Sequence, residues 1–430
     1  MVQNIRKLIN DQLELDRDEH AEFLMKAVSC DSSIINMGKQ GNEIVMQNFV
    51  SCILRDLGAE LDIFEPDNEQ MKSHPEANIG HNYENRPNVV GTIKGAGGGR
   101  SLMFNAHSDV VPSGDPKSWI CPPYEPEIID GKLYGRGACD MKAGGVAALM
   151  ALRTLHKCGI KLKGDVIFEA VVDEEGGGNG TLACCLKGYR ADAAIIPEPS
   201  ELKLMPAHMG WLFYHITFTG KSLHCAFKWN GHNAIEDCVG FINYMQQVER
   251  DWAITLRHPY LPPPTICFTV VQGGDSSSTV PDLCRLDMSV HFHPADTEDG
   301  KIGSRIEKRL FHAIDNLVNS SDWMKANPPK IELFQQGSGY DIGADHPIVE
   351  CAKGSLSMVL GKEPELNGLA SGADARLLNN YGNTPTLICG PGSIGDAHSI
   401  NEFVEMDQFF DSVKVYCDIL VNWCGVVEQR

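Results

Sequence analysis

Between residues 60 and 200 the chain alternates short apolar runs with helix-patterned stretches, and three of those runs end in an acid or an imidazole. "RSLMFNAH" is bounded by glycines and a polar loop, as a buried strand is. "DVIFEAVVDEE" and "ADAAIIPEPS" repeat the form, and "ELDIFEP" and "NVVGTIKG" read as further strands. "HAEFLMKAV", "NEIVMQNFVSCILRDLG" and "AGGVAALMALRTLHKCG" have helical spacing, the last two closing at Gly58 and Gly159. Strands alternating with helices predict an α/β domain with a mostly parallel sheet. In such sheets functional side chains sit just beyond the carboxyl ends of the strands.

The pattern changes near Met209. "WLFYHITFTGKSLH" alternates as a half-buried strand, "NAIEDCVGFINYMQQVERDW" is one long helix, and "TICFTVVQGG" and "CRLDMSVHFHP" are strands. "GSRIEKRLFHAIDNLVNS" and "KIELFQQG" add a helix and a last strand. Strand–helix–strand–strand–helix–strand is the ferredoxin-like order. The α/β character returns with "HPIVECAKGSLSMVLG" and "TPTLICGPG". A chain of 430 residues is too long for one ordinary core. The expected organisation is an α/β domain in two pieces, 1–208 and 338–430, interrupted by a smaller α+β domain at 209–337.

Composition narrows the function classes. With 43% hydrophobic and 22% charged residues the chain reads as a soluble globular protein. A net charge of −20 with no offsetting basic stripe argues against nucleic acid as a partner. The 15 cysteines are scattered without a CxxC pair, the N-terminal segment lacks signal-peptide character, and no apolar run nears a membrane span. The expectation is a reduced, cytoplasmic protein with no membrane partner.

His107 and Asp109 follow "LMFNA", Asp140 sits in the loop "YGRGACDMKAGG", and Glu174 and Glu175 end "DVIFEAVV". Glu198 stands between two prolines after "ADAAII", and His398 follows the late strand in "GPGSIGDAHSINEF". Each alone has a bland reading as loop polarity or a solvated edge. Independent bland causes would rarely put them all at one edge of one sheet. Imidazoles and carboxylates together suit Zn²⁺, and less often Co²⁺ or Mn²⁺. A metal pair sharing a carboxylate and a water lowers that water's pKa, and an uncoordinated carboxylate takes the proton. Adjacent Glu174 and Glu175 suit a division between base and ligand. Residues i and i+2 of a strand share a face, so the Asp109 carboxylate is expected to reach the rear nitrogen of His107.

The motifs "HSDVVP", "YGRGACDMKAGG", "DEEGGGNGT", "PEPS", "GKSLHCAFKWNGHNAIE", "SGADARLL" and "GPGSIGDAHSINEFV" resemble, in order, those of the dinuclear zinc deacylases and exopeptidases. These include acetylornithine deacetylase, succinyl-diaminopimelate desuccinylase, aminoacylase and the glutamate carboxypeptidases. The resemblance implies a zinc-peptidase-like domain with an inserted lid. It implies one zinc on His107 and Glu198, a second on Glu175 and His398, and Asp140 bridging them. Glu174 would be the general acid/base, Asp109 would orient His107, and His224 of the lid would stabilise the oxyanion. Arg376 and the backbone around Gly390 and Gly392 would hold a substrate carboxylate, and the lid would make a homodimer.

The chain departs from the family pattern at Ala143, which makes "DMKAGG" of the usual "DMKGG", and at His291, where many members carry a lid arginine; Lys221 and Arg285 are candidate substitutes. The segment before the zinc motif resembles the acetylornithine deacetylase-like branch. The expected reaction is therefore cleavage of an N-acyl amino acid, with a dipeptidase or carboxypeptidase as the alternative. A non-catalytic binding protein would be expected to have lost ligand positions, and all are present. "GAGGG" precedes its strand and "GGGNG" lacks a P-loop lysine, so neither suits a nucleotide site.

Overall fold

The computed structural model describes residues 2–36 and 38–428 and divides into two compact units. In chain order the first unit begins with α1 (Val2–Leu15), α2 (Arg17–Val28), α3 (Ile44–Asp56), β1 (Glu60–Phe64) and β2 (Asn88–Ile93). It continues with β3 (Leu102–His107), α4 (Ala143–Lys157), β4 (Val166–Val171), α5 (Asn179–Lys187) and β5 (Ala193–Pro199). The second unit contributes β6 (Gly210–Thr219), α6 (Ala234–Thr255), β7 (Thr265–Gly273), β8 (Leu283–Phe292), α7 (Ser304–Asn319) and β9 (Lys330–Gly337). The chain then returns to the first unit with α8 (Pro347–Leu360), α9 (Ala375–Asn380), β10 (Thr386–Gly390) and α10 (Met406–Cys424).

The first unit's sheet has the order β10-β5-β3-β4-β2-β1. The four strands from β10 to β4 are mutually parallel, β2 is reversed, and β1 is antiparallel to β2, so five of the six run one way. The apolar strands lack alternation because both faces are covered. Phe104 of β3 meets Tyr416 of α10 at 5.3 Å between ring centroids, and the next residue, Asn105, donates to Thr181 Oγ1 of α5 at 3.0 Å. Close helix–sheet approach depends on Gly144, where a Cβ would collide with the Pro197 carbonyl oxygen beside Glu198. Ala143 is fully buried at the start of α4. All 15 cysteines are free thiols, and no helix among the described residues is long and apolar enough to cross a membrane.

The second unit's sheet is antiparallel throughout, in the order β7-β8-β6-β9. Along β6, Leu212, Tyr214, Ile216 and Phe218 point into a core shared with Phe241 of α6 and Leu310 of α7. This is the ferredoxin-like arrangement. The sequence places it at 209–337, whereas the unit spans Ala207–Asp341 and also takes in Gly368–Gly372. The return stretch is held by a main-chain bond from Met209 N–H to Leu369 O at 3.1 Å, a long-range pairing that no local periodicity announces.

Candidate active site

The carboxyl ends of the parallel strands all point to one edge of the sheet, and the chemistry-bearing residues gather there. His107 is the last residue of β3, Glu198 lies in β5, and Glu174 and Glu175 occupy the turn after β4. Asp140 sits in the irregular stretch Ala138–Lys142 that leads into α4, and its peptide bond to Met141 is cis. His398 follows β10 in left-handed backbone, φ 61°.

Asp140 organises the cluster. Its Oδ1 lies 3.0 Å from His107 Nε2, and its Oδ2 lies 3.3 Å from His398 Nε2. His107 Nε2 is also 3.6 Å from Glu198 Oε1, and His398 Nε2 is 2.9 Å from Glu175 Oε1. One carboxylate therefore faces both imidazoles, each with a further glutamate beside it. Donor atoms of His107, Glu174 and Glu198, and of His107, Asp140 and Glu175, lie within 4.8 Å of one another. Glu174 thus stands close enough to the donors to be a ligand as well as a base.

The electrostatics call for cations. Burial, then the charges of neighbouring carboxylates, push Glu174 and Glu198 well above the ordinary range. Burial would also raise Asp140, but hydrogen bonds from both imidazoles bring it below its usual value. Hydrogen bonds to Asp140 and Glu175 carry His398 up to about 10. Burial disfavours a charged His107, yet Asp140 and Glu198 raise it well above 6.5. The pocket concentrates more carboxylate than two imidazoles can neutralise, and these are oxygen and imidazole donors that divalent metals accept.

Several residues take partners that differ from the sequence expectation. The Asp109 carboxylate lies 3.9 Å from His107 Nδ1, beyond hydrogen-bond reach. The Asp109 main-chain oxygen is 2.9 Å from Nδ1 and fixes the ring instead. The carboxylate turns away to accept the N–H groups of Glu174 at 3.2 Å and Glu175 at 3.0 Å, aiming the turn that carries both.

Arg376 is only 2% exposed. Its Nε donates to Glu76 Oε2 at 3.0 Å, its Nη1 to Ala373 O at 2.8 Å and its Nη2 to Gly177 O at 2.9 Å. It is a buried brace rather than an open carboxylate fork. Gly390 N–H is taken by Ser200 Oγ and Gly392 N–H by Gln408 Oε1, each at 3.0 Å, so these amides serve the fold. His224 is exposed in the second unit, its Nδ1 accepting from Ala226 N–H at 3.1 Å. His291 is half-buried in β8, Arg285 is exposed in the same strand, and Lys221 is exposed with its backbone paired to His232.

Sequence reading missed what stands behind the turn. Asp173 has a left-handed φ of 67° and lies 2.7 Å from His81 Nδ1, while Tyr83 donates to it at 2.6 Å. Buried Arg86 grips Glu43 and reaches Asp173 at 3.5 Å. Asn78 and Asn179 exchange bonds, and Asn78 also donates to Gly177 O. Residues 76–86 thus clamp the loop that carries Glu174. The only local signal was an unusually long polar segment before "NVVG".

A mostly parallel sheet with imidazoles and carboxylates converging on a shared aspartate fits a metal-dependent hydrolase, the class the family match shows. The chain belongs to peptidase family M20/M25/M40, whose model matches residues 103–422. Members act on amide and other C–N bonds, and the chain is such an enzyme. It is 32% identical over 364 residues to the N-formyl-4-amino-5-aminomethyl-2-methylpyrimidine deformylase of Halalkalibacterium halodurans, covering 80% of this chain and 84% of that protein. It is 28% identical over 337 residues to a Bradyrhizobium succinyl-diaminopimelate desuccinylase, covering 75% and 83%. A Staphylococcus aureus tripeptidase superposes with a TM-score of 0.73 at 20% identity, covering 95% and 98% of the two chains. A Sulfolobus solfataricus metallo-carboxypeptidase gives 0.70 at 17%, covering 94% and 98%. These relatives give the acetylornithine deacetylase-like branch no specific support.

Proposed function

We propose that the chain hydrolyses the amide of a small N-acyl group, formyl foremost, and that the released amine need not carry an α-carboxylate. The observation that carries the hydrolytic chemistry is the divided Asp140 carboxylate, one oxygen toward each imidazole. His107 and Glu198 would hold one cation, and Glu175 and His398 the other. When bound, Zn²⁺, or Co²⁺ or Mn²⁺ in its place, would supply a water of lowered pKa and a positive charge for the acyl oxygen. Glu174, beside the His107 and Glu198 donor atoms, is the residue that would accept the attacking water's proton and return it to the leaving nitrogen. Asp109 holds Glu174 and Glu175 in register through their N–H groups. The resemblance adds an oxyanion role for His224 and a homodimer through residues 209–337.

Two observations favour a substrate without a carboxylate. Arg376 is buried and bound to Glu76, and the deformylases of Halalkalibacterium halodurans and Bacillus subtilis, at 32% and 31% identity, are named for a formylated aminomethylpyrimidine. The test is a substrate panel on protein stripped by a chelator and reloaded with Zn²⁺ or Co²⁺. It compares N-formyl aminomethylpyrimidine, N-formyl-, N-acetyl- and N-succinyl-amino acids, and dipeptides, reading free acid and free amine. Metal-restored formate release from the pyrimidine is expected. Preference for N-acyl amino acids would refute the carboxylate-free assignment. Cleavage of dipeptides alone would move the enzyme to the peptidases, and absence of bound metal would overturn the site.

A further inference from the structure

We propose that the buried Arg136–Glu402 ion pair is a positioning device that holds the second metal position, the one built on His398; this rests on the metal reading above. The two side chains are 3% and 1% exposed, with Arg136 Nη1 donating to Glu402 Oε2 at 2.5 Å. The other oxygen, Oε1, accepts the N–H groups of Cys139 at 2.9 Å and Asp140 at 3.0 Å. Arg136 Nη2 donates to His398 O at 3.3 Å and to Pro112 O at 3.4 Å. One ion pair therefore touches the main chain of the shared aspartate, the main chain of the second imidazole and the loop that follows His107.

The local pairing keeps it in register. Phe403–Glu405 runs antiparallel to Lys132–Tyr134, and Gly135 N–H donates to Glu402 O at 3.0 Å. The guanidinium also lies 5.1 Å from the Trp119 ring centroid.

The two metal positions are supported unequally. The His107 side chain is 1% exposed at the end of a central strand, with its Nδ1 on the Asp109 main-chain oxygen. The His398 side chain is 51% exposed and projects from a loop in left-handed backbone. The sheet places the first imidazole. The placement of the second depends on what holds residue 398, and Arg136 is bonded to its carbonyl. Groups bonded behind metal ligands commonly change metal affinity about 10- to 100-fold when altered.

The test uses Co²⁺ as the only added ligand, titrated into metal-free protein and followed by visible absorption and by competition with a chelating dye. Glu402→Gln keeps an oxygen for the Cys139 and Asp140 amides and removes the partner of Arg136. Arg136→Lys keeps the charge and loses the fork, so it reports even if the first variant does not fold. Wild type is expected to take two ions. Each variant should bind the first ion within about 3-fold of wild type and the second at least about 10-fold more weakly. Unchanged binding of both ions, or equal weakening of both, overturns the proposal. A wild type that takes no pair of ions overturns the metal reading instead.

Discussion

Glu169 lies at the centre of β4, fully buried, on the sheet face that carries Asn105 and packs against Thr181 of α5. Its Oε2 accepts from Asn105 Nδ2 at 2.9 Å, and its Oε1 has no hydrogen-bond partner among the described residues. Burial pushes its carboxyl from 4.5 up to about 7, with the Asn105 bond opposing and the Asp374 charge adding. In the unfolded chain the group ionises near its ordinary value, so from pH 4.5 upward the unfolded state gives up a proton that the folded state retains. Stability carried by the neutral form is complete below pH 4.5 and is lost as pH rises through about 7. The gap of about 2.5 pH units, at about 1.36 kcal/mol each, amounts to about 3 kcal/mol. Glu169→Gln keeps an oxygen for Asn105 and does not titrate. Its stability relative to wild type should therefore improve by about 3 kcal/mol between pH 4.5 and 7.5. Guanidinium unfolding of both proteins in chelator, at half-unit pH steps, measures the difference. An offset added equally at every pH on top of that change would reflect the amide's fit in the core. A difference that does not change with pH would refute the reasoning.

Glu174→Gln should cut turnover by about 10²- to 10⁴-fold while metal analysis still finds the ions bound; substantial retained turnover would remove Glu174 as the base. His20, buried in α2, is held down to about 4 by burial, so stability is full above pH 6.5 and falls as pH drops toward 4. His20→Leu should flatten that acid limb in thermal melts, and an unchanged limb would show that the imidazole is not the cause. Arg376→Ala strands buried Glu76 and should cost about 3–5 kcal/mol of stability. If the variant instead melts like wild type and shows a raised KM only for carboxylate-bearing substrates, Arg376 is a substrate fork after all.

What was legible in the sequence was local in origin. Apolar runs without alternation marked β3, β4 and β5 as doubly covered, and the period-2 pattern of "WLFYHITF" marked β6 as half-covered. Strand ends then named the edge where His107, Glu174, Glu175 and Glu198 meet. What was illegible depends on partners far away along the chain. Arg376 and Glu76 are 300 residues apart, Arg136 and Glu402 266 apart, and nothing near either arginine distinguishes a buried brace from an open fork. Asp109 failed for a subtler reason. Strand alternation gives the side a residue faces, but the turn after β4 presents two unpaired N–H groups that attract its carboxylate more directly than the imidazole does.

The sheet order carries a consequence for how the molecule is made. β5 is flanked by β3 on one side and β10 on the other, and β10 is synthesised only after the whole second unit. A growing chain that has reached residue 340 has every other strand of that sheet in hand, while β5, among its most apolar, still presents a bare backbone edge. It also has the acids of the site with a single imidazole among them. Closing a pairing of such sequence separation is slow, and an exposed edge invites other chains to add to it. Docking of residues 386–398 seals the edge and delivers His398 in one stroke, so metal binding at the second position would report that the chain has finished folding.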